Sequence, residues 1–136
     1  MLTQKSLEDL SYRVIKCMSE VNNHLGPGLL ESVYQAAMMY ELFTNDIEAV
    51  SFPLLPVHYK GKMLEGHFRP DIVVNDCLII ELKAVEFLNP VHKAQLLTYL
   101  KLSGMTKGLL VNFNAVKVKD QINSMVTPGF FELPGR

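Results

Sequence analysis

Between Arg69 and Lys83 two apolar runs, Ile72-Val73-Val74 and Leu78-Ile79-Ile80, are bracketed by Asp71 on one side and by Glu81 and Lys83 on the other. Short continuous apolar runs separated by Asn75-Asp76 predict two neighbouring strands with both faces buried. Such strands gain nothing from isolated charges, so two carboxylates and an ammonium set among them must meet one another or a metal ion. This requirement fixes which strands are neighbours and in what register.

A two-residue connection at Asn75-Asp76 would set Asp71 opposite Ile80 and turn Glu81 to the other face of the sheet. A three-residue loop, Asn75-Asp76-Cys77, pairs 74 with 78 and 71 with 81 instead. Asp71, Val73, Ile79, Glu81 and Lys83 then share one face, and Ile72, Val74, Leu78, Ile80 and Leu82 share the other. Only the second register gives a wholly apolar face for the core, and it is the expectation here, although a bulge near Asp71 would serve equally well. The opposed carboxylates would stand with Cβ atoms about 5 Å apart. Two carboxylates and a backbone carbonyl suffice for Mg²⁺ or Mn²⁺, hard cations that take oxygen ligands and keep several waters. Leu82 is the expected carbonyl donor, because its side chain points away while its backbone stays at the site. Such an ion can polarise a phosphodiester and acidify a bound water, while Lys83 orients that water or offsets developing negative charge. The competing reading is an Asp71–Lys83 ion pair with Glu81 solvated.

The remaining chain predicts helices over about 6–25, with Ser6 as cap, and over about 30–44, with Leu30, Val33, Ala37 and Met38 on the core side. A third runs from Asn89-Pro90 to Leu102 and stops at Gly104. An irregular edge strand is expected around Val50–Leu55, and a hairpin around Lys60-Gly61-Lys62. Strands are expected over 70–74, 78–83, 108–113 and 116–118, with an extended tail over 127–134. The whole is an αββαβ-like unit forming one domain, 1–136.

Neither a secretory leader nor a membrane-length apolar stretch is visible, and Cys17 and Cys77 lack metal or disulfide spacing, so a cytoplasmic protein with reduced thiols is expected. Net charge is −1 but unevenly spread. Residues 1–57 carry three Lys/Arg against seven Asp/Glu, and residues 58–136 ten against seven. That modest basic bias permits nucleic-acid binding without demanding it.

Glu31 and Tyr34 are three apart on one helix, and Gln95 and Tyr99 four apart on another. With Leu25-Gly26-Pro27-Gly28, Gly28-x-x-Glu31-x-x-Tyr34, Asp71, Glu81-Leu82-Lys83-Ala84-Val85, Gln95-x-x-x-Tyr99-Leu100 and Leu110-Val111-Asn112-Phe113, the chain resembles the GxxExxY protein family of the PD-(D/E)XK nuclease superfamily. Asn22 and Asn114 depart from that family, which often has histidine and glycine there. The resemblance implies an α/β, restriction-endonuclease-like mixed β-sheet flanked by helices, with Asp71, Glu81 and Lys83 at its catalytic centre. It implies that Glu31 adds a direct or water-mediated metal contact, and that Gln95 and Tyr99 line the site as in RecB-like nucleases. Tyr34, Lys93 and Arg69 are further candidates for substrate contact. The expected activity is metal-dependent phosphodiester hydrolysis, of DNA rather than RNA. The alternative is an inactive nuclease-like module that binds nucleic acid or a protein partner, and a homo-oligomer would supplement the sparse basic surface.

Overall fold

The computed structural model describes residues 1–136. Helix α1 spans Gln4–Leu25 and is capped by Thr3 instead of Ser6. Thr3 Oγ1 accepts from the Ser6 amide and Ser6 Oγ from the Thr3 amide, so two amides that the helix start leaves unpaired are satisfied reciprocally. Leu7, Val14, Cys17, Met18 and Val21 form its buried stripe. Helix α2, Glu31–Thr44, ends at Asn45 as expected. Its buried stripe is rotated, however: Tyr34, Gln35, Met38 and Leu42 face inward, whereas Leu30 and Val33 face solvent. The cause is Tyr34, whose ring lies on Phe113 with centroids 5.0 Å apart. A stacked aromatic buries more area than valine can, and its hydroxyl is satisfied nearby.

Seven strands follow: β1 (Ala49–Ser51), β2 (Leu55–Tyr59), β3 (Lys62–Phe68), β4 (Ile72–Val74), β5 (Leu78–Lys83), β6 (Lys107–Asn112) and β7 (Ile122–Val126). Five make a mixed sheet in the order β1-β4-β5-β6-β7, in which only β5 and β6 run parallel. The parallel pair is joined by α3 (Pro90–Ser103), with Asn89 as cap and Gly104 left-handed at its end, as predicted. Helices α1 and α2 cover the face bearing Ile72, Val74, Leu78, Ile80 and Leu82. Helix α3 covers the other, where Leu96 and Leu100 pack on Val73, Ile79 and Leu110. No helix is long and apolar enough to cross a membrane.

Strands β2 and β3 form a separate hairpin, turning at Lys60-Gly61. The expected strand at 116–118 is instead a loop entering a 3-10 turn, Val118–Gln121, and β7 has no predicted counterpart. At a half-covered edge, Ile122-Asn123-Ser124-Met125-Val126 needs few apolar residues, so its pattern is faint. The tail is not extended: Pro128 starts a short helix, α4 (Pro128–Glu132).

Gly108 sets how closely α3 approaches the sheet, since a Cβ there would lie 2.7 Å from Leu96 Cδ1. Leu96 is fully buried and cannot swing into solvent. Gly108→Ala is expected to lower stability by about 1–3 kcal/mol through overpacking. An unchanged urea midpoint would show that the helix yields freely.

Candidate active site

Asn75 and Asp76 both adopt left-handed conformations, φ 49° and 54°, which Asn and Asp tolerate better than most residues. The Cys77 amide closes the turn on the Val74 carbonyl at 3.0 Å, yet the ladder pairs Val74 with Leu78, leaving Cys77 as the extra residue. Ile72 accordingly pairs with Ile80. This is the register in which the acids converge. The Asp71 amide donates to Glu81 Oε1 at 3.0 Å, and the Leu82 amide donates to Asp71 Oδ2 at 2.8 Å. Each carboxylate is thus pinned by one oxygen to the backbone that carries the other.

Glu81 is only 3% exposed. Burial first, and the neighbouring Asp71 carboxylate second, push its carboxyl up to about 8, while Lys83 offsets only part of this. No Lys, Arg or His nitrogen lies within 4.0 Å of either acid; the ion pairs of the molecule are Lys5–Asp9 and His24–Glu20 on α1. The reading of Asp71 and Lys83 as a closed ion pair is therefore set aside. Two adjacent acids without a close cationic partner form a donor set that fits a hard divalent ion. Within a strand, the amide and carbonyl of one residue point the same way. Since the Leu82 amide reaches Asp71, its carbonyl is also directed past the end of β4.

Lys83 is half-buried and lies one alternation beyond Glu81 on the same face. Tyr99, on α3, also belongs here: burial, then the charges of Glu81 and Asp71, push its hydroxyl up, so it remains a neutral donor. It accepts from Gln95 Nε2 at 3.2 Å and packs on Phe68, 5.1 Å between centroids. Arg69 is exposed two residues before Asp71, and Lys93 is exposed on α3.

Two expected contributors stand apart. Tyr34 is fully buried; its hydroxyl donates to the Gly26 carbonyl at 2.6 Å and accepts from the Leu29 amide at 3.2 Å. It has no surface for a substrate and instead holds the Gly26-Pro27-Gly28 turn against the start of α2. Glu31 is exposed at the first position of α2 and does not complete a group of three acids with Asp71 and Glu81.

Three neighbours carry no charge and so left little trace in the sequence pattern. Gln35 is buried one turn beyond Glu31, and its Nε2 donates to the Asp71 carbonyl at 2.7 Å and to Ser51 Oγ at 2.9 Å. Phe52 reaches the same carbonyl through its amide at 2.8 Å, in a left-handed conformation (φ 50°) unusual for a bulky residue. Asn112 clamps Val85 from both sides, with bonds of 2.8 and 3.1 Å, and so fixes the chain just past Lys83. The two departures from the family pattern are tethers as well. Asn22 joins α1 to Ala115 and Val118, and Asn114 joins Gly28 to Val85.

A carboxyl raised by folding stabilises the protein fully below its ordinary value of 4.5, and that contribution is lost as pH rises through about 8. In EDTA the wild type should therefore lose stability relative to Glu81→Gln across this window, and Mn²⁺ should restore it. Parallel urea-midpoint curves for the two proteins would contradict this assignment of the buried charge. For a divalent ion held by these acids, Gln35→Ala is expected to weaken uptake of Mn²⁺ by about tenfold, because Gln35 holds the Asp71 backbone and not its carboxylate. Calorimetric titration measures this directly, and unchanged affinity would reduce Gln35 to core filling.

A model of the PD-(D/E)XK nuclease superfamily matches residues 8–125. No curated protein matches in sequence. Among solved structures, one described as the crystal structure of SSO0001 superimposes with a TM-score of 0.50 and 25% identity over 71% of this chain. The chain spans half the length of that structure, with 50% of it covered. Both the matched span, which takes in every residue of the acidic site, and the five-stranded mixed sheet flanked by helices agree: the chain belongs to the PD-(D/E)XK nuclease superfamily.

Proposed function

We propose that the protein is a nuclease that hydrolyses phosphodiester bonds in DNA with Mg²⁺ or Mn²⁺, residues 1–136 acting as one cytoplasmic catalytic domain. The observation that carries the reading is the pairing of Asp71 with Glu81 through reciprocal backbone bonds, with Lys83 on the same face and no close cationic partner for either acid. Superfamily membership supplies the coarser statement, a nucleic-acid substrate. Within the superfamily we assign the chain to the GxxExxY group, on the motifs around Gly28, Glu31 and Tyr34. In this chain the tyrosine of that motif staples the glycine turn and thereby sets where Glu31 begins the helix.

Asp71 and Glu81 would hold the cation, together with the Leu82 carbonyl, and Glu31 would reach it through water. When bound, the ion supplies charge neutralisation at the phosphate and a more acidic water. Lys83 orients the attacking water and stabilises negative charge as it develops. Tyr99, kept protonated by burial and then by its acidic neighbours, donates toward the substrate, and Gln95 fixes the direction of its hydroxyl. Arg69 and Lys93 contact flanking phosphates. The free, buried Cys17 and Cys77 suit a reducing compartment.

The test is Mn²⁺-dependent cleavage of single- and double-stranded DNA by the wild type, Asp71→Ala and Lys83→Ala. Lys83→Ala should lose about 10²–10³-fold in rate, as for removal of one group stabilising transition-state charge. Asp71→Ala should lose cleavage and calorimetric Mn²⁺ uptake together. Equal nicking by all three would assign the activity to a contaminant. Metal uptake without turnover would favour a module that binds nucleic acid or a protein without cutting.

A further inference from the structure

The β2–β3 hairpin is the part of the molecule least explained by its own packing. Its base is anchored, with Phe68 buried against Tyr99 and Leu55 packed on the α3 side of the sheet. Beyond that point the ribbon stands clear: every residue of β3 except Phe68 is exposed. The exposed part nonetheless carries Tyr59 (57% exposed), Met63 (62%) and Leu64 (40%). A two-stranded ribbon is marginally stable alone, so apolar side chains displayed along it suggest contact with something else.

The pairing shows what its inner face presents. Leu55 lies opposite Phe68, Val57 opposite Leu64, and Tyr59 opposite Lys62. Side chains alternate along a strand, so Leu55, Val57 and Tyr59 share one face of β2. On β3 the register shifts at Glu65-Gly66 (Gly66 φ 127°), a bulge that sets the tip with Lys62 and Leu64 off from Phe68 while keeping both opposite that face. That face begins at Phe68, and hence at Tyr99 beside the acids, and runs outward through Val57 and Leu64 to Tyr59 and Lys62. Tyr59 is four residues from Leu55, about 13 Å along the strand, a reach of a few nucleotides. Lys60 occupies the turn, its Nζ 5.4 Å from the Tyr59 ring centroid. Over residues 55–69 the charges are Lys60, Lys62 and Arg69 against Glu65 alone. The chain then passes through Pro70 directly into Asp71.

We infer that the β2–β3 hairpin is a substrate arm that grips an unpaired stretch of nucleic acid beside the cleavage site, with Tyr59 stacking on a base and Lys60 and Lys62 binding its phosphates. This rests on the nuclease reading above and extends it to the form of the substrate. The basic tip complements a polyanion. An exposed aromatic ring stacks well only on a base face that no neighbouring base pair already covers. A ribbon that reads duplex through the major groove needs several polar groups for the base edges, and this face offers valine, leucine and tyrosine with Lys62 alone among them.

The experiment is fluorescence anisotropy of labelled single-stranded and fully paired DNA in EDTA, across a salt series, on full-length protein. The variants are Lys60→Ala/Lys62→Ala, Tyr59→Ser, and, as a distant control, Lys117→Ala/Lys119→Ala. The hairpin double variant should weaken single-strand binding at least tenfold at low salt and flatten the salt slope by about 1.4, or 0.7 for each lost phosphate contact. Tyr59→Ser should weaken it at least fivefold with the slope unchanged. The control should bind as the wild type does, and circular-dichroism melts should be the same for all. Wild-type affinity and slope in both hairpin variants would overturn the arm while leaving the nuclease reading intact, since that reading depends on the Asp71→Ala and Lys83→Ala results. Equal binding of paired and unpaired DNA would overturn the assignment of unpaired bases. A dimer by light scattering that Tyr59→Ser dissociates, with no effect on DNA binding, would assign the ribbon to a second copy of the chain and overturn the proposal.

Discussion

Two short hydrogen bonds hold together groups that would otherwise repel. The Asp71 amide on a Glu81 oxygen and the Leu82 amide on an Asp71 oxygen tie neighbouring strands through their acids where the β4–β5 ladder ends. Much of the surrounding structure maintains this contact. Cys77 bulges so that the register is right, Gln35 and the amide of Phe52 hold the Asp71 carbonyl, and Asn112 fixes the strand beyond Lys83. Low dielectric and adjacent negative charge then shift Glu81 toward its neutral form. An arrangement of this kind is unfavourable in isolation, and it gains its use when a positive species arrives.

The buried strands were legible because their physics is simple. Leu78 to Leu82 and Ile72 to Val74 must hide both faces, and only one register separates a purely apolar side from a charged one. Helix α3 was equally plain, since Asn89-Pro90 and Gly104 announce its ends. The stripe of α2 keeps Ala37 and Met38 but turns away from Leu30 and Val33, because hydropathy favours those two whereas shape favours Tyr34, whose ring matches Phe113. Strand β7 escaped notice because an edge strand can be half polar. At the site, the charged residues could be named from spacing, but Gln35 could not. A neutral side chain on a helix shows no pattern until the fold places it against the Asp71 backbone.

The motif tyrosine and the site tyrosine illustrate how one residue type serves two purposes. Tyr34 spends its hydroxyl on the Gly26 carbonyl and its ring on the core. Tyr99, only partly covered, keeps its hydroxyl on Gln95, near enough to the acids to feel their charge, and lends its ring to Phe68, the root of the hairpin. The proposed chemistry and the proposed gripping surface therefore meet at one aromatic pair.

The raised pKa of Glu81 would make occupancy of the proposed centre an exchange. On the proposed reading a divalent ion would enter as a proton departs, so the ratio of metal to hydrogen ions, and not metal concentration alone, would govern how much of the protein holds it. Mild acidification at a constant level of that ion would empty the proposed centre with the fold intact.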